Sequence, residues 1–275
     1  MSTLPIPITQ PLVVFTDLDG TLIDHHSYGV EGSQNALQQL AARKAALVFC
    51  SSKTFAEQLY LQQQLGIKQP FIFENGSAIA IPTGFFSANR YKAAGREAGY
   101  DLVVFAHAEI SELYATLSLF PKAKGYASAS DIALAAATSL NGDALGRARE
   151  RRYTETLLAP QDENEAVLLN KGLKGTGFSL SRGGRFYTMQ SEEIDKGKAT
   201  KWMMEIFRQE NTQTPCFAAT GDSLNDVPML EVVDFPFLVQ RPDQSWANIE
   251  IPNLIMIKGI GPAGFSAAVK RLIEG

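Results

Sequence analysis

Short apolar runs alternate with amphipathic stretches over much of this chain. Leu12–Thr16, Ala46–Cys50 and Phe71–Phe73 form an early set of runs, and residues 216–220, 235–239 and 254–257 a late set. Each is rich in β-branched or aromatic residues, the pattern of a buried strand. Between them, residues 36–43, 56–65, 198–208 and 265–273 carry apolar side chains at helical spacing. Strands alternating with helices predict an α/β fold, a doubly wound parallel sheet with helices on both faces. From about residue 87 to 188 the alternation blurs. Helical stretches at 108–120 and 130–140 are broken by Gly and Pro, with short runs at 102–105, 155–158 and 186–189 between and around them. The pattern predicts a core of residues 1–86 and 189–275, interrupted by an α+β insertion over 87–188. The Ala-rich stretch 123–137 reads as a helix with its preceding loop.

Composition narrows the function classes. With 45% hydrophobic residues the chain can bury a full core without a disulfide or metal staple. A net charge of −4 argues against a broad basic surface for nucleic acid, yet leaves room for local cations around a small anion. Cys50 and Cys216 lie in apolar runs and read as buried thiols in a reducing compartment. No apolar stretch approaches the ~20 residues that span a bilayer, and residues 1–11 lack a positive segment followed by an apolar one. The expectation is a cytoplasmic protein, monomer or homodimer, with no membrane or nucleic-acid partner. Asn75-Gly76-Ser77 fits a glycosylation acceptor by chance.

Candidate chemistry clusters at strand ends. Asp17-Leu18-Asp19-Gly20-Thr21-Leu22 follows the first run, so two carboxylates stand where open α/β sheets place ligands. Gly20 lets the chain turn so that both acids face one point. Such a pair can bind a hard cation or divide nucleophile and acid roles; alone, it reads equally well as an Asp-rich turn. Ser51-Ser52-Lys53-Thr54 follows the second run, and hydroxyls, backbone N–H groups and a cation at a helix start suit an anion; alone, it reads as a helix cap through Ser52 or Thr54. Lys196, in Asp195-Lys196-Gly197-Lys198, opens another helix, where its charge opposes the dipole unless an anion is shared. Gly221-Asp222-Ser223-Leu224-Asn225-Asp226 repeats the acidic strand end after residues 216–220.

Taken in this order, the four motifs resemble those of the haloacid dehalogenase superfamily, and the likeness runs from about residue 12 onward. It implies a Rossmann-like core with the insertion as a mobile cap. Glu74-Asn75-Gly76 looks like the segment preceding the cap in the sugar-phosphatase branch. By the resemblance, Asp17 is the nucleophile that forms an aspartyl-phosphate, and Asp19 the acid that protonates the leaving group and then activates water. Mg²⁺ is expected on the Asp17 carboxylate, the Asp19 main-chain carbonyl and the Asp222 carboxylate, with Asp226 supporting and Asn225 orienting the loop. Ser51 and Ser52 hold the phosphoryl oxygens, and Lys196 neutralises them.

The substrate is expected from the cap and loop edges. Arg182-Gly183-Gly184-Arg185-Phe186-Tyr187 pairs two guanidinium forks around a flexible turn; composition alone reads as a hairpin with solvated arginines. Arg147-Ala148-Arg149-Glu150-Arg151-Arg152 reads as a solvated charged segment. Together with Asp24-His25-His26-Ser27-Tyr28, Val239-Gln240-Arg241-Pro242-Asp243 and Gly259-Ile260-Gly261-Pro262-Ala263-Gly264, the Arg182–Tyr187 segment resembles the mannosyl-3-phosphoglycerate phosphatase family, although Phe265 stands where that family is expected to carry Trp. The resemblance implies hydrolysis of a phosphorylated sugar-glycerate in compatible-solute synthesis, with Lys53, Arg182, Gly183, Gly184 and Arg185 on the substrate and His25 and His26 nearby. The glucosyl glycoside and simple hexose phosphates remain open. A phosphoacceptor signalling domain, which carries its phosphorylated Asp on a mid-domain strand, is disfavoured, because the expected nucleophile follows the first strand and about 100 residues are inserted.

Overall fold

The computed structural model describes residues 9–87, 90–160 and 162–274, so most of the N-terminal stretch read above lies outside the described residues. The chain runs β1 (Leu12–Thr16), α1 (Gln34–Ala42), β2 (Ala46–Cys50), α2 (Phe55–Leu65), β3 (Phe71–Phe73), β4 (Ala78–Pro82), β5 (Gly95–Glu97) and β6 (Tyr100–Val104). It then forms α3 (Ile110–Leu117), β7 (Lys124–Gly125), α4 (Asp131–Thr138), α5 (Asp143–Arg149), β8 (Glu155–Ala159), α6 (Glu163–Leu173), β9 (Phe178–Arg182) and β10 (Tyr187–Ser191). It closes with α7 (Lys196–Glu210), β11 (Cys216–Gly221), α8 (Val227–Leu230), β12 (Phe235–Gln240), β13 (Ile255–Ile260) and α9 (Pro262–Glu274).

Among the described residues nine strands make the main sheet, in the order β13-β12-β11-β1-β2-β3-β4-β6-β5. The first six are parallel, and β4, β6 and β5 extend the sheet antiparallel. Its central strands are buried on both faces, which is why they read as continuous apolar runs. Val14, Phe49 and Phe71 pack with Leu40, Phe265 and Val269 on one face; Val13, Phe15 and Val48 pack with Met203 and Phe207 on the other. Phe265 is fully buried and packs in the core. Cys50 and Cys216 are buried free thiols. Among the described residues no helix is long and apolar enough to cross a membrane.

A second sheet, β7-β8-β10-β9, is antiparallel. It corrects the expected boundaries. The run at 102–105 was assigned to the insertion, but β5 and β6 pair onto β4 and belong to the main sheet. The chain leaves that sheet only after Val104, and β10 keeps it in the second sheet to Ser191. The link from β3 to β4 explains the error: Glu74, Asn75 and Gly76 all take positive φ, and this tight reversal turns an apolar run back antiparallel.

The order of strands also places the ligand end of the sheet. β2 and β3 lie on one side of β1 and β11 on the other, so the order reverses between β1 and β11. The carboxyl ends of those two strands therefore border a crevice, the usual ligand position in an open α/β sheet.

Candidate active site

Asp17 and Asp222 meet at that crevice because Thr16 is in register with Thr220, and the Asp17 N–H donates to the Thr220 carbonyl at 2.9 Å. Gly20 turns the chain at φ +77°, and a Cβ there would lie 3.0 Å from Asp222 Oδ2. The predicted need for glycine is thus both conformational and steric. Gly221 is equally constrained, since a Cβ would strike the Asp226 side chain.

Lys196 reaches the crevice from the first turn of α7. Its ammonium donates to Asp17 Oδ1 at 2.6 Å and Asp226 Oδ1 at 2.7 Å. Two carboxylates therefore resolve the conflict between a lysine and a helix N-terminus that the sequence suggested a phosphate would resolve. Asp195 caps the same helix, accepting the Lys198 N–H at 2.8 Å. Burial disfavours the Lys196 charge, but Asp17 and Asp226 outweigh it and the pKa is raised. Burial also lifts the Asp17 carboxyl to about 7, with Lys196 opposing and Asp226 adding to the rise. Asp222 is pushed well above the carboxylate range, first by burial and then by Asp226 and Asp17.

Those carboxylates fit a hard cation. Asp17, Asp222 and Asp226 each offer an oxygen, all within 4.8 Å of one another, and an all-oxygen donor set suits Mg²⁺. The ionised trio repels itself, and a divalent cation would relieve that repulsion. Both carboxylate oxygens of Asp226 are already engaged. Its Oδ1 is held by Lys196, and its Oδ2 accepts the N–H groups of Asp222 and Ser223, both at 3.0 Å. Asn225 accepts the Ser223 hydroxyl at 2.7 Å, in keeping with loop orientation.

The cavity above Asp17 is lined by Asp19, Ser52, Lys53, Arg151, Gly183, Gly184 and Arg185. Ser51 is buried beneath it, its hydroxyl accepting the Lys53 N–H at 3.3 Å, while Thr54 caps α2. Lys53 bridges Asp19 at 3.1 Å and Glu57 at 3.3 Å. Tyr28, at φ 56°, donates to the Thr138 carbonyl and receives Arg185 Nη2, both at 2.7 Å, tying the loop after β1 to the second sheet's unit. Two expectations change here. Lys196 is fully buried and is not on the cavity lining, where Asp17 stands. Arg182 is not on the lining of this cavity: it pairs with Glu163 at 3.3 Å and borders an adjoining depression shared with His25, Gly183, Gly184 and Asp222. His25 also touches the main cavity, whereas His26 is exposed.

A model of haloacid dehalogenase-like hydrolases matches residues 14–120. A curated glucosyl-3-phosphoglycerate/mannosyl-3-phosphoglycerate phosphatase of Methanococcoides burtonii is 35% identical, covering 95% of this chain and 97% of its own. The chain belongs to the haloacid dehalogenase-like hydrolases. A mannosyl-3-phosphoglycerate phosphatase of Pyrococcus furiosus is 34% identical over 82% of this chain and 90% of that protein. The solved structure of a phosphatase of this superfamily from Bacteroides thetaiotaomicron shares the fold at TM-score 0.65 and 15% identity, covering 98% of this chain and 96% of that one.

Sequence reasoning missed several residues of this hydrolase that frame the site. Glu74 is fully buried and its carboxylate accepts the N–H groups of Arg152, Tyr153 and Thr154 and the Thr154 hydroxyl, at 2.8–2.9 Å. Thr54 donates to the Arg147 carbonyl at 2.7 Å, and Arg152 pairs bidentately with Glu97. The segment read as solvated, 147–152, is instead strapped to the main sheet's unit. Asn75, the chance glycosylation match, is buried with its amide donating to Gln190 at 3.0 Å. Clustered charge at 147–152 gave no sign of burial, because the partners lie 55 to 93 residues away.

Proposed function

We propose that this chain is a Mg²⁺-dependent phosphomonoester hydrolase acting through an aspartyl-phosphate, with a glycosyl-3-phosphoglycerate as substrate. Mannosyl-3-phosphoglycerate is the first candidate and the glucosyl glycoside the alternative, since the relatives' names carry both. The observation that carries the reading is the Lys196 bridge: it fixes one oxygen of Asp17 and leaves the other for the phosphorus. Bound to Asp17, Asp222 and the Asp19 carbonyl, with Asp226 supporting, Mg²⁺ would supply positive charge to the phosphoryl oxygens.

Asp17 attacks phosphorus, forming an aspartyl-phosphate as the P–O ester bond breaks. Asp19 gives its proton to the leaving alkoxide. Water then attacks the phosphoryl group while Asp19 accepts a proton from that water, breaking the acyl-phosphate bond, releasing inorganic phosphate and restoring Asp17. Ser51, Ser52 and the backbone N–H groups beside them hold the phosphoryl oxygens. Residues from about 105 to 191 act as the specificity cap, with Lys53, Gly183, Gly184 and Arg185 near the glycerate and sugar; the enzyme works in the cytoplasm as a monomer or homodimer. A phosphate-release panel tests this: glycosyl-3-phosphoglycerates should be turned over with the highest kcat/KM. Faster turnover of hexose phosphates would overturn the substrate assignment.

A further inference from the structure

Arg151 is only 8% exposed, although it sits in a run of charges. Its neighbours in that run are accounted for. Arg147 stacks on Tyr60 at 3.9 Å, Arg149 pairs with Asp131 at 2.8 Å, and Arg152 with Glu97 at 2.7 Å. Among the described residues Arg151 has no such partner. Its Nη2 donates to the Ser52 carbonyl at 2.7 Å, and Nη2 and Nε to Thr154 Oγ1 at 3.0 and 3.3 Å. Among the described residues Nη1 has no hydrogen-bond partner, and no carboxylate forms an ion pair with this guanidinium. Glu155 is near enough to feel the charge, but its oxygens are taken by the Ala127 N–H at 3.0 Å and the Tyr114 hydroxyl at 3.1 Å.

A guanidinium taken out of water without an anion is costly, and a binding site is where that cost has a use. Arg151 lines the same cavity as Asp17 and Asp19, anchored to the carbonyl of the very serine expected to hold the phosphoryl group. Of the other cations there, Lys53 is already paired with Glu57 at 3.3 Å, and Arg185 is exposed. We propose that Arg151 is a specificity-determining residue that receives a second anionic group of the substrate, a carboxylate close to the phosphate ester. This rests on the phosphatase reading above and gives the role first expected of Arg182 to a residue of the β8 approach.

The test compares 3-phosphoglycerate with glycerol 3-phosphate, which lacks the carboxylate, as competitors of p-nitrophenyl phosphate hydrolysis by the full chain with Mg²⁺. Wild type should bind 3-phosphoglycerate roughly 10- to 100-fold more tightly, the range of a charge-assisted hydrogen bond. Arg151→Met should bring the ratio of inhibition constants close to one, and Arg151→Lys should keep part of the preference. Should the Met variant not fold, Arg151→Lys and Arg151→Gln carry the comparison, with Lys retaining more of the ratio. A wild-type ratio near one, or a ratio unchanged in the variants while overall activity falls, overturns the assignment and leaves the phosphatase reading standing. Absence of phosphate release from every ester overturns that reading and this inference together.

Discussion

Lys196 donates to Asp17 Oδ1 across 2.6 Å, joining the first turn of α7 to the residue that follows β1. Its other carboxylate partner, Asp226, belongs to the loop after β11. One fully buried ammonium thus fixes three separate chain segments around the point where strand order reverses.

Removing that ammonium leaves Asp17 and Asp226 facing each other without compensation. Lys196→Met should lower kcat by about 10²- to 10³-fold, the scale for losing one preorganised electrostatic contact, and should lower the melting temperature. Steady-state kinetics and a melting curve check both. A variant with wild-type kcat would remove Lys196 from the catalytic arrangement.

The acidic cluster also makes metal binding depend on pH. Without metal, burial raises the Asp17 carboxyl from 3.8 to about 7. Folding therefore takes up a proton in that interval, and this contribution to stability is present below 3.8 and lost as pH rises through 7. A cation must displace that proton, so its own stabilising effect runs the other way. The rise in melting temperature produced by Mg²⁺ should be larger at about pH 8 than at about pH 5.5. An equal rise at both would contradict the site.

Glu74 holds the strap at 152–154 through four accepted hydrogen bonds. Glu74→Gln replaces one acceptor oxygen with a donor facing other donors, and should cost about 2–4 kcal/mol in urea unfolding. Hydrogen exchange should quicken over residues 147–154. Unchanged exchange there would mean that the strap is held by its other contacts alone.

These residues also mark where the sequence stops being legible. β1, β2 and β3 could be placed from their apolar runs, because strands buried on both faces leave an uninterrupted signal. Asp17, Asp222, Asp226 and Lys196 were recognisable because each stands one or two residues beyond a strand or at a helix start, where local geometry alone exposes it. Cap-side chemistry had no such marker. Arg151 and Arg182 look alike in sequence; what separates them is that Arg151 meets Ser52 and Thr154 whereas Arg182 meets Glu163, and that is decided by packing. The residues of the edge strands β5 and β6 read as part of the insertion for a related reason: three successive positive-φ residues reverse the chain, and alternation cannot register that reversal.

Asp19 should divide substrates by leaving group. A p-nitrophenolate departs without a proton, but a sugar or glycerate alkoxide does not. Asp19→Asn should therefore slow alkyl phosphates by about 10²- to 10⁴-fold at the first step, while an aryl phosphate still phosphorylates the enzyme. A uniform loss for both classes would deny Asp19 the acid role.

That variant offers the most direct test of the central claim, the aspartyl-phosphate on Asp17. Asp19→Asn, mixed with p-nitrophenyl phosphate and Mg²⁺ and quenched in acid, should gain the mass of one phosphoryl group, mapped by peptide mass spectrometry to Asp17. The gain should be sensitive to hydroxylamine and absent when Asp17→Asn is added. An unmodified chain during continuing turnover, or a phosphoryl group on any other residue, would contradict the account.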